Sequence, residues 1–541
     1  MFQQTLNPAG NLWLTVLISM VPFAALLYML AVLRLTAWLA TIIGGLVTIL
    51  LGVLVWRAPA GDTLKSYLYG GFTGFWAIDW ITFWGLIIFN TLVLTGIFER
   101  FKKWMIHHAT ADIRIQTIML AWAFGALLEG LVGFGYPWAV VVPILVGLGI
   151  ADLDAIRVAA LANNAPVSYG ALGAPILGLA AVTGLPMMAL SASVGSIVAI
   201  LALLPPWVLI YLVSGWEGMI EAWPLAIVGS LSYIAGQWPV ARYLGPYLPD
   251  LSGAMVSFWI LFLFVKIWRP KKIRAFGGAA LASPKTSLLS NPSETRLELG
   301  SAAEALWVWL PYIVLIAVVV SWTGPWSHLP GVSWFRLSVA ANSSVTQKPI
   351  LSVFNFTPFA GGTSTLVSWV VLLLILRPQW PIIRQVFSKT FKQMWGALLV
   401  AFFIFALAYI FVFTGMANSL AYGLSKIGVF FVVLAPILGW IGVALSGSNT
   451  ATNAMFGPVQ ALTGRLLNLP VLLLPSFNSV GAEVGKPIAP QTASVGVSTS
   501  KLVRSEGQVI RHNMGWTLVM LAYLVVISAV FYFFLSNWMS L

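Results

Sequence analysis

Long apolar runs separated by short polar or basic stretches fill the chain from Leu12 to Trp538. A helix that crosses a bilayer needs about 20 such residues. On that measure Leu12–Leu33, Leu35–Val55 and Gly70–Phe98 are predicted as the first three spans. A basic loop, ERFKKWMIHHATADIR, follows. Ile115–Ile150 is too long for one span and has a glycine-rich centre, so it is predicted as a re-entrant hairpin with its tip near Gly130–Gly135; the alternative is a single kinked helix. Val158–Leu185 reads as a span broken at its middle and Met187–Val213 as a full span, followed by Ala222–Val240 and Gly253–Trp268.

Residues 269–304 change character, from RPKKIRAF to a Gly/Ser/Pro/Thr stretch, and are predicted as a cytoplasmic basic linker. Beyond it come Leu306–Trp322, a polar loop to about Thr357, Phe359–Leu376, a basic interfacial helix at Gln379–Trp395 and Gly396–Thr414. Val429–Leu467 is again too long and breaks at SGSNTATNA, Leu472–Ser500 breaks at NSVGAEVGKPIAP, and Trp516–Trp538 closes the chain. Both halves thus run through three spans, a hairpin-like segment, a broken span and a full span. YGALGAPI at Tyr169–Ile176 resembles VGAEVGKPI at Val480–Ile488. Weak internal similarity of this sort marks transporter repeats. The expected fold is all-α and polytopic: repeat 1 over 1–213, two extra helices over 214–268, the linker over 269–304 and an inverted repeat 2 over 305–541.

Composition agrees with a membrane protein. The 541 residues are 60% hydrophobic and 8% charged, with a mean hydropathy of +0.94; soluble domains carry about 25% charged residues. The formal net charge of +13 is read as basic cytoplasmic loops rather than a nucleic-acid surface. With the N-terminus outside, most of the 28 Lys and Arg residues fall on inside loops, among them Arg34, Arg100, Lys272, Arg384 and Lys501. Arg57, Lys65, Arg242, Arg336, Lys348, Lys426 and Arg465 stay outside, and Lys486 is left within the membrane. There is no cysteine, and the four histidines (His107, His108, His328, His512) form no HExxH. Catalytic, phosphate-binding and dinucleotide-binding signatures are missing as well, so no cofactor is expected. The N-terminus has no basic region or cleavage site of a signal peptide. Oligomeric state is left open.

The breaks carry the candidate chemistry. Irregular backbone within a bilayer must face protein or a watery cavity, and ionisable groups beside it mark function by default. Half-helix N-termini there attract an anion, and unwound carbonyls and hydroxyls can hold a cation. Lys486, between Gly485 and Pro487, is a candidate partner for a substrate carboxylate; a structural pairing with Glu129 or Glu483 is the alternative. Glu129 is the candidate proton carrier, because desolvation favours a neutral carboxyl. Ser446, Ser448, Asn449, Thr450, Thr452 and Asn453 suit the hydroxyl and carboxylate of a hydroxy acid, or Na⁺, or merely their own hairpin's carbonyls. Asn163, Asn164, Ser168 and Asn478 share that ambiguity. Asp79, among Trp76, Trp80 and Trp84, is read as structural or interfacial.

At GALLEGLVGFGYPWAV (Gly125–Val140), NNAPVSYGALGAPIL (Asn163–Leu177), LGWIGVALSGSNTATNAMF (Leu438–Phe456) and GKPIAPQTASV (Gly485–Val495) the chain resembles the lactate permease family. The resemblance starts at NPAGNLWLT (Asn7–Thr15) and spans nearly the whole chain. It implies uptake of lactate or glycolate with a proton across the bacterial plasma membrane, with small-molecule substrate, proton and lipid bilayer as partners. Glu129, Asn163, Ser448, Asn453 and Lys486 fall on matching motif positions. Some members carry Asp where this chain has Asn449, which leaves one acid fewer here. The broader ion-transporter superfamily places SNT triplets such as Ser448–Thr450 at hairpin tips and binds Na⁺ there, so a Na⁺-coupled carboxylate carrier is the first alternative. An integral-membrane enzyme or structural subunit is the alternative from another class.

Overall fold

The computed structural model describes residues 1–108, 110–133, 135–280 and 302–541. Nine helices among them are long and apolar enough to cross a membrane, and a tenth arises if a bent pair counts as one span. The chain starts with α1 (Leu12–Ala31) and α2 (Ala37–Leu54). Asn11 caps α1 by accepting the Leu14 N–H at 3.1 Å. α3 (Ala60–Leu94) is 35 residues long and begins ten residues before the predicted third span. It turns π-helical over Phe75–Asp79, a geometry that inserts one extra residue per turn and recurs at functional sites.

The predicted basic loop is mostly a helix, α4 (Ile97–His108). Its apolar residues Phe101, Trp104 and Met105 are buried against the core, which a reading by charge content alone could not detect. The side chains of His107 and His108 lie outside the described residues. The hairpin follows: α5 (113–131), π-helical over Ile118–Ala123, then a turn, then α6 (Tyr136–Gly147). Gly125 faces Val141 across its two arms, so the chain reverses. α7 (Asp152–Ala162) and the helical segment Val167–Thr183 meet at 64°, the predicted broken span; its second part is α8 (Gly170–Thr183).

The span expected at Met187–Val213 lies within one apolar run, Met187–Glu221, built of α9 (Met187–Leu201) and α10 (Pro205–Glu221) with a short interruption before Pro205 and Pro206. Prolines cannot donate to the preceding turn, so the helix restarts there. α11 (Trp223–Tyr243) and α12 (Pro249–Ile267) are the extra pair. The linker departs from expectation at its start. Arg274 is an ordered partner of Glu221 at 2.7 Å, and buried Arg114 bonds Asp112 at 2.7 Å, Glu221 at 3.1 Å and the Lys272 carbonyl at 2.7 Å. Residues 281–301 of the predicted linker lie outside the described residues, and its last three, 302–304, begin the next helix.

The helices resume at the end of the linker. α13 (Ala302–Thr323) and α14 (Gly361–Leu376) lead to a 35-residue helix, α15 (Trp380–Thr414), and a short helix, α16 (Met416–Ser425). The separate interfacial helix predicted at Gln379–Trp395 is the first half of α15: no proline lies between Pro381 and Gly415, and the lone Gly396 weakens a helix without stopping it, so the basic segment and the span propagate as one helix. A second hairpin, α17 (Phe431–Ser446) and α18 (Asn449–Leu466), is followed by a second broken helix, α19 (Leu473–Gly485) and α20 (Pro490–Ser498), and by α21 (Glu506–Phe534).

The polar loop before Thr357 is a β-hairpin instead. β2 (Phe335–Asn342) pairs antiparallel with β3 (Pro349–Phe356), and β1 (Phe2–Gln3) joins β2 in parallel. FRLSVAAN and PILSVFNF are too short and too mixed to register as spans, but they alternate as strands do.

The hairpins cross between halves. The tip glycine Gly135 packs on Val495 of α20, and Gly457 of α18 packs on Leu179 of α8. Within the second half Gly439 of α17 and Gly481 of α19 bring two helix backbones into contact, at the Asn478 and Pro436 carbonyls respectively. Small residues allow such approach, which supplies the packing that apolar solvent does not.

Candidate functional site

Each break has a local cause. In the first hairpin Gly133 and Gly135 take left-handed φ of +64° and +81°, which glycine adopts without a Cβ clash, and Pro137 fits the first turn of α6. In the second, Gly447 has φ +73° and Ser448 caps α18, accepting the Ala451 N–H at 3.2 Å. The first broken helix is strained. Ala171 and Leu172 stand at φ +48° and +56°, followed by Gly173 at +81°. Each non-glycine residue there costs on the order of 1 kcal/mol or more. The second broken helix unwinds at Lys486–Ile488, passes an extended Ala489 and restarts at Pro490.

The four breaks converge on one cavity of about 150 Å³. Glu129, Gly170, Ser448 and Lys486 line it, one from each break, and Asp79 enters from the π-helical part of α3. The Lys486 ammonium donates to Glu129 Oε1 at 2.7 Å, and the Asn163 amide donates to Glu129 Oε2 at 3.0 Å. The side chains of Glu129 and Lys486 are 2% and 9% exposed, so the pair is largely dry, and both residues line the cavity. Gly170 is where the Glu129 carboxylate needs room: a Cβ there would stand 2.5 Å from Oε1.

The same wall is favourable to an anion. The first turns of α18 (Asn449, Thr450) and α20 (Gln491, Thr492) both line the cavity, as Lys486 does. Their free N–H groups and the helix dipoles add partial positive charge to the ammonium.

Of the predicted site residues, Glu129, Ser448, Asn449 and Lys486 line the cavity, with Ser446 and Thr450. Asn163, Asn164, Ser168, Asn453 and Asn478 are buried behind its wall. Ser168 donates through both its N–H and its hydroxyl to the buried Glu483. Asn453 donates to the Pro175 carbonyl at 3.1 Å and to Ser479 Oγ at 3.0 Å, and accepts from Asn478 at 3.0 Å. These amides tie the second hairpin to both broken helices. Ser446 spends its hydroxyl on Thr452 at 3.1 Å, and Asn449 donates to the Ser479 carbonyl at 3.1 Å.

Asp250, which the sequence does not single out, is buried beside the first hairpin and does not line the cavity. It is 1% exposed, accepts the Tyr233 hydroxyl at 3.0 Å and packs on Gly130, where a Cβ would lie 2.7 Å from its own Cβ. It follows Pro249 in the first turn of α12, and an acid there reads in sequence as an ordinary helix start. Among the described residues no three His, Asp or Glu side chains are grouped to hold a metal ion.

A family model described as L-lactate permease matches residues 15–536. The glycolate permease GlcA of Escherichia coli K12 is 32% identical over 548 residues, 97% of each chain. The L-lactate permease of Salmonella typhimurium LT2 is 30% identical over 536 residues, 96% of each chain. Among solved structures, Neisseria gonorrhoeae MtrF, one of a class of antimetabolite efflux pumps, aligns over 95% of this chain and 98% of its own at 13% identity, with a TM-score of 0.48.

Proposed function

Because the chain belongs to the L-lactate permease family, we propose that it takes up a 2-hydroxymonocarboxylate, L-lactate or glycolate, together with a proton. It is a multi-pass integral protein of the plasma membrane and a permease rather than an enzyme. The observation that carries the coupling is the Lys486–Glu129 pair at 2.7 Å on the cavity wall.

Two unpaired charges in a dry cavity are costly, and a pair is tolerated. In the empty site Glu129 neutralises Lys486. A proton on Glu129 removes that partner and leaves the ammonium to a substrate carboxylate, which the N-termini of α18 and α20 also favour. Proton and carboxylate together leave the net charge of the site unchanged. Empty and loaded sites therefore both present a compensated ammonium to the low-dielectric interior, and neither ligand alone does. That condition yields symport. Ser448 and Asn449, on the cavity wall, are the partners we assign to the α-hydroxyl. Asn163 holds the second Glu129 oxygen and orients it.

The architecture we propose for this cycle is two inverted repeats, 1–213 and 305–541, joined by the helices of 214–268 and the basic segment 269–304. The matched order of helices, including a 35-residue helix and a short helix before each hairpin, supports it. The glycine-broken hairpins and helices would be the moving parts of alternating access.

The test is labelled L-lactate uptake into proteoliposomes under an imposed pH gradient or an imposed Na⁺ gradient, with unlabelled glycolate as competitor. Uptake driven by the pH gradient and blocked by glycolate is expected. Glu129→Gln should abolish gradient-driven uptake while retaining lactate exchange. Uptake that requires Na⁺, or full pH-driven uptake by Glu129→Gln, would overturn the coupling.

A further inference from the structure

A second cavity, of about 290 Å³, lies beneath the β-hairpin. Strand β3 roofs it through Val353 and Asn355, Tyr247 and Gly361 close one side, and Ala181 of α8 and Tyr409 of α15 lie deep within it. The Tyr409 hydroxyl donates to the Val353 carbonyl at 3.3 Å and reaches the Ala181 carbonyl at 3.4 Å, which ties roof to floor. Among the described residues no charged side chain lines this cavity, in contrast to the central one, which holds Asp79, Glu129 and Lys486.

Neighbouring residues of the same elements line the two cavities. Ala77 lines the second and its neighbour Ile78 the central one; Leu177 lines the second and Pro175 the central one. Gly178 follows Leu177 in α8. A Cβ built there lies 2.9 Å from Phe405 Cζ, 3.2 Å from Thr450 Cγ2 and 3.7 Å from Ile78 Cδ1. The elements around Gly178 are irregular ones. Ile78 sits in the π-helical stretch Phe75–Asp79, Gly178 lies five residues past the left-handed run Ala171–Gly173, and Thr450 begins the second hairpin's outgoing arm.

The cavities also reach opposite ends of the helices. The central one extends to Leu30 and Ala37 beside the α1–α2 turn with Arg34, and to Ala397, just beyond the basic half of α15 with Arg384, Lys389 and Lys392. By the bias of basic residues that end is cytoplasmic. The second cavity lies toward the C-terminal end of α15 and the β-hairpin.

We infer that the cavity under the β-hairpin is the outer vestibule through which a small monocarboxylate enters, and that Ile78, Gly178 and Phe405 form the outer gate, shut here with the central site facing the cytoplasm. This rests on the alternating-access reading above. The vestibule offers aromatic and amide surface without fixed charge, so it passes an anion without retaining it. The ammonium that holds the anion lies only beyond the gate. Gly178 leaves space for the Phe405 ring, and swinging that ring aside joins the two cavities.

The chain has no cysteine, so single-cysteine variants of the full protein report accessibility directly. Ala174, on the central cavity, and Ala181, in the vestibule, stand seven positions apart on α8, about 10 Å along the helix. A membrane-impermeant thiol reagent is applied to right-side-out or inverted vesicles carrying Ala174→Cys or Ala181→Cys. Ala181→Cys is expected to react from the outside, and Ala174→Cys at least tenfold faster from the cytoplasmic side. Adding Phe405→Ala should raise outside labelling of Ala174→Cys at least tenfold; Gly178→Leu should leave outside labelling of Ala181→Cys in place while suppressing uptake. Reaction of Ala181→Cys only from the inside, or unchanged outside labelling of Ala174→Cys with Phe405→Ala, would overturn the gate. Labelling needs no lactate, so correct labelling without lactate uptake would count against the substrate and leave the gate standing.

Discussion

Lys486 and Glu129 stand 357 positions apart in the chain, and their charged groups meet at 2.7 Å on the wall of one cavity. Each is the obvious partner of the other in the empty protein, so each single substitution leaves a buried charge without compensation. Removing one member of such a pair costs about 3–5 kcal/mol, whereas replacing both by neutral groups is close to neutral. The double variant Glu129→Gln/Lys486→Gln should therefore be more stable in detergent than Lys486→Gln or Glu129→Gln alone. Thermal unfolding of the four proteins measures this; additive losses would show that the two groups do not depend on one another.

Gly170 tests the position of the carboxylate without changing any charge. A Cβ at this residue would press on Glu129 Oε1 at 2.5 Å and turn the carboxylate away from Lys486. Gly170→Ala is expected to lower pH-driven uptake at least tenfold, or about 1.4 kcal/mol in the barrier. Gly61→Ala, where a Cβ meets nothing within 4 Å, should leave uptake unchanged. Equal uptake by the two variants would refute the steric argument.

The crossing of α17 and α19 rests on backbone contact at Gly439 and Gly481. Neither residue touches the cavity, and both abut a carbonyl that cannot move without its helix. Alanine at either position should cost about 1–3 kcal/mol of stability. The loss should be larger than for Gly464→Ala, whose Cβ would find only ordinary contacts with Leu474. Comparing the unfolding midpoints of the three variants decides it.

Arg114 supports the fold away from the site. Its guanidinium is fully buried and joins Asp112, Glu221 and the Lys272 carbonyl, so it fastens the start of α5 to the end of α10 and to the segment after α12. Arg114→Leu removes the charge partner of the buried Asp112 carboxylate and leaves it only the backbone N–H groups of residues 114 and 274, which should lower the unfolding midpoint of the protein. The protein that does fold should transport with wild-type KM. A changed KM with intact stability would place Arg114 in the transport path instead.

The sequence by itself determined the class of the protein and the sites of its breaks. Apolar run length is a local property, so most spans are legible at once. Gly133, Gly135, Gly447 and the Gly485–Pro487 stretch mark the turns because only certain residues tolerate left-handed or unhydrogen-bonded backbone. Glu129 and Lys486 stood out because charge is costly in apolar surroundings. What tertiary structure decided was direction and partnership. Asn163, Ser168, Asn453 and Asn478 looked equivalent to Ser448 and Asn449 in composition, yet packing turned them behind the wall, where they hold Glu129, Glu483 and the broken helices. Asp250 gained its place only because α12 packs its first turn against Gly130. The cavity under the β-hairpin is lined by β3 together with α3, α8 and α15, which only tertiary packing brings together. Helix and turn formation depend on neighbours a few residues away. Which polar group faces a cavity depends on helices hundreds of residues apart, and no local pattern encodes that.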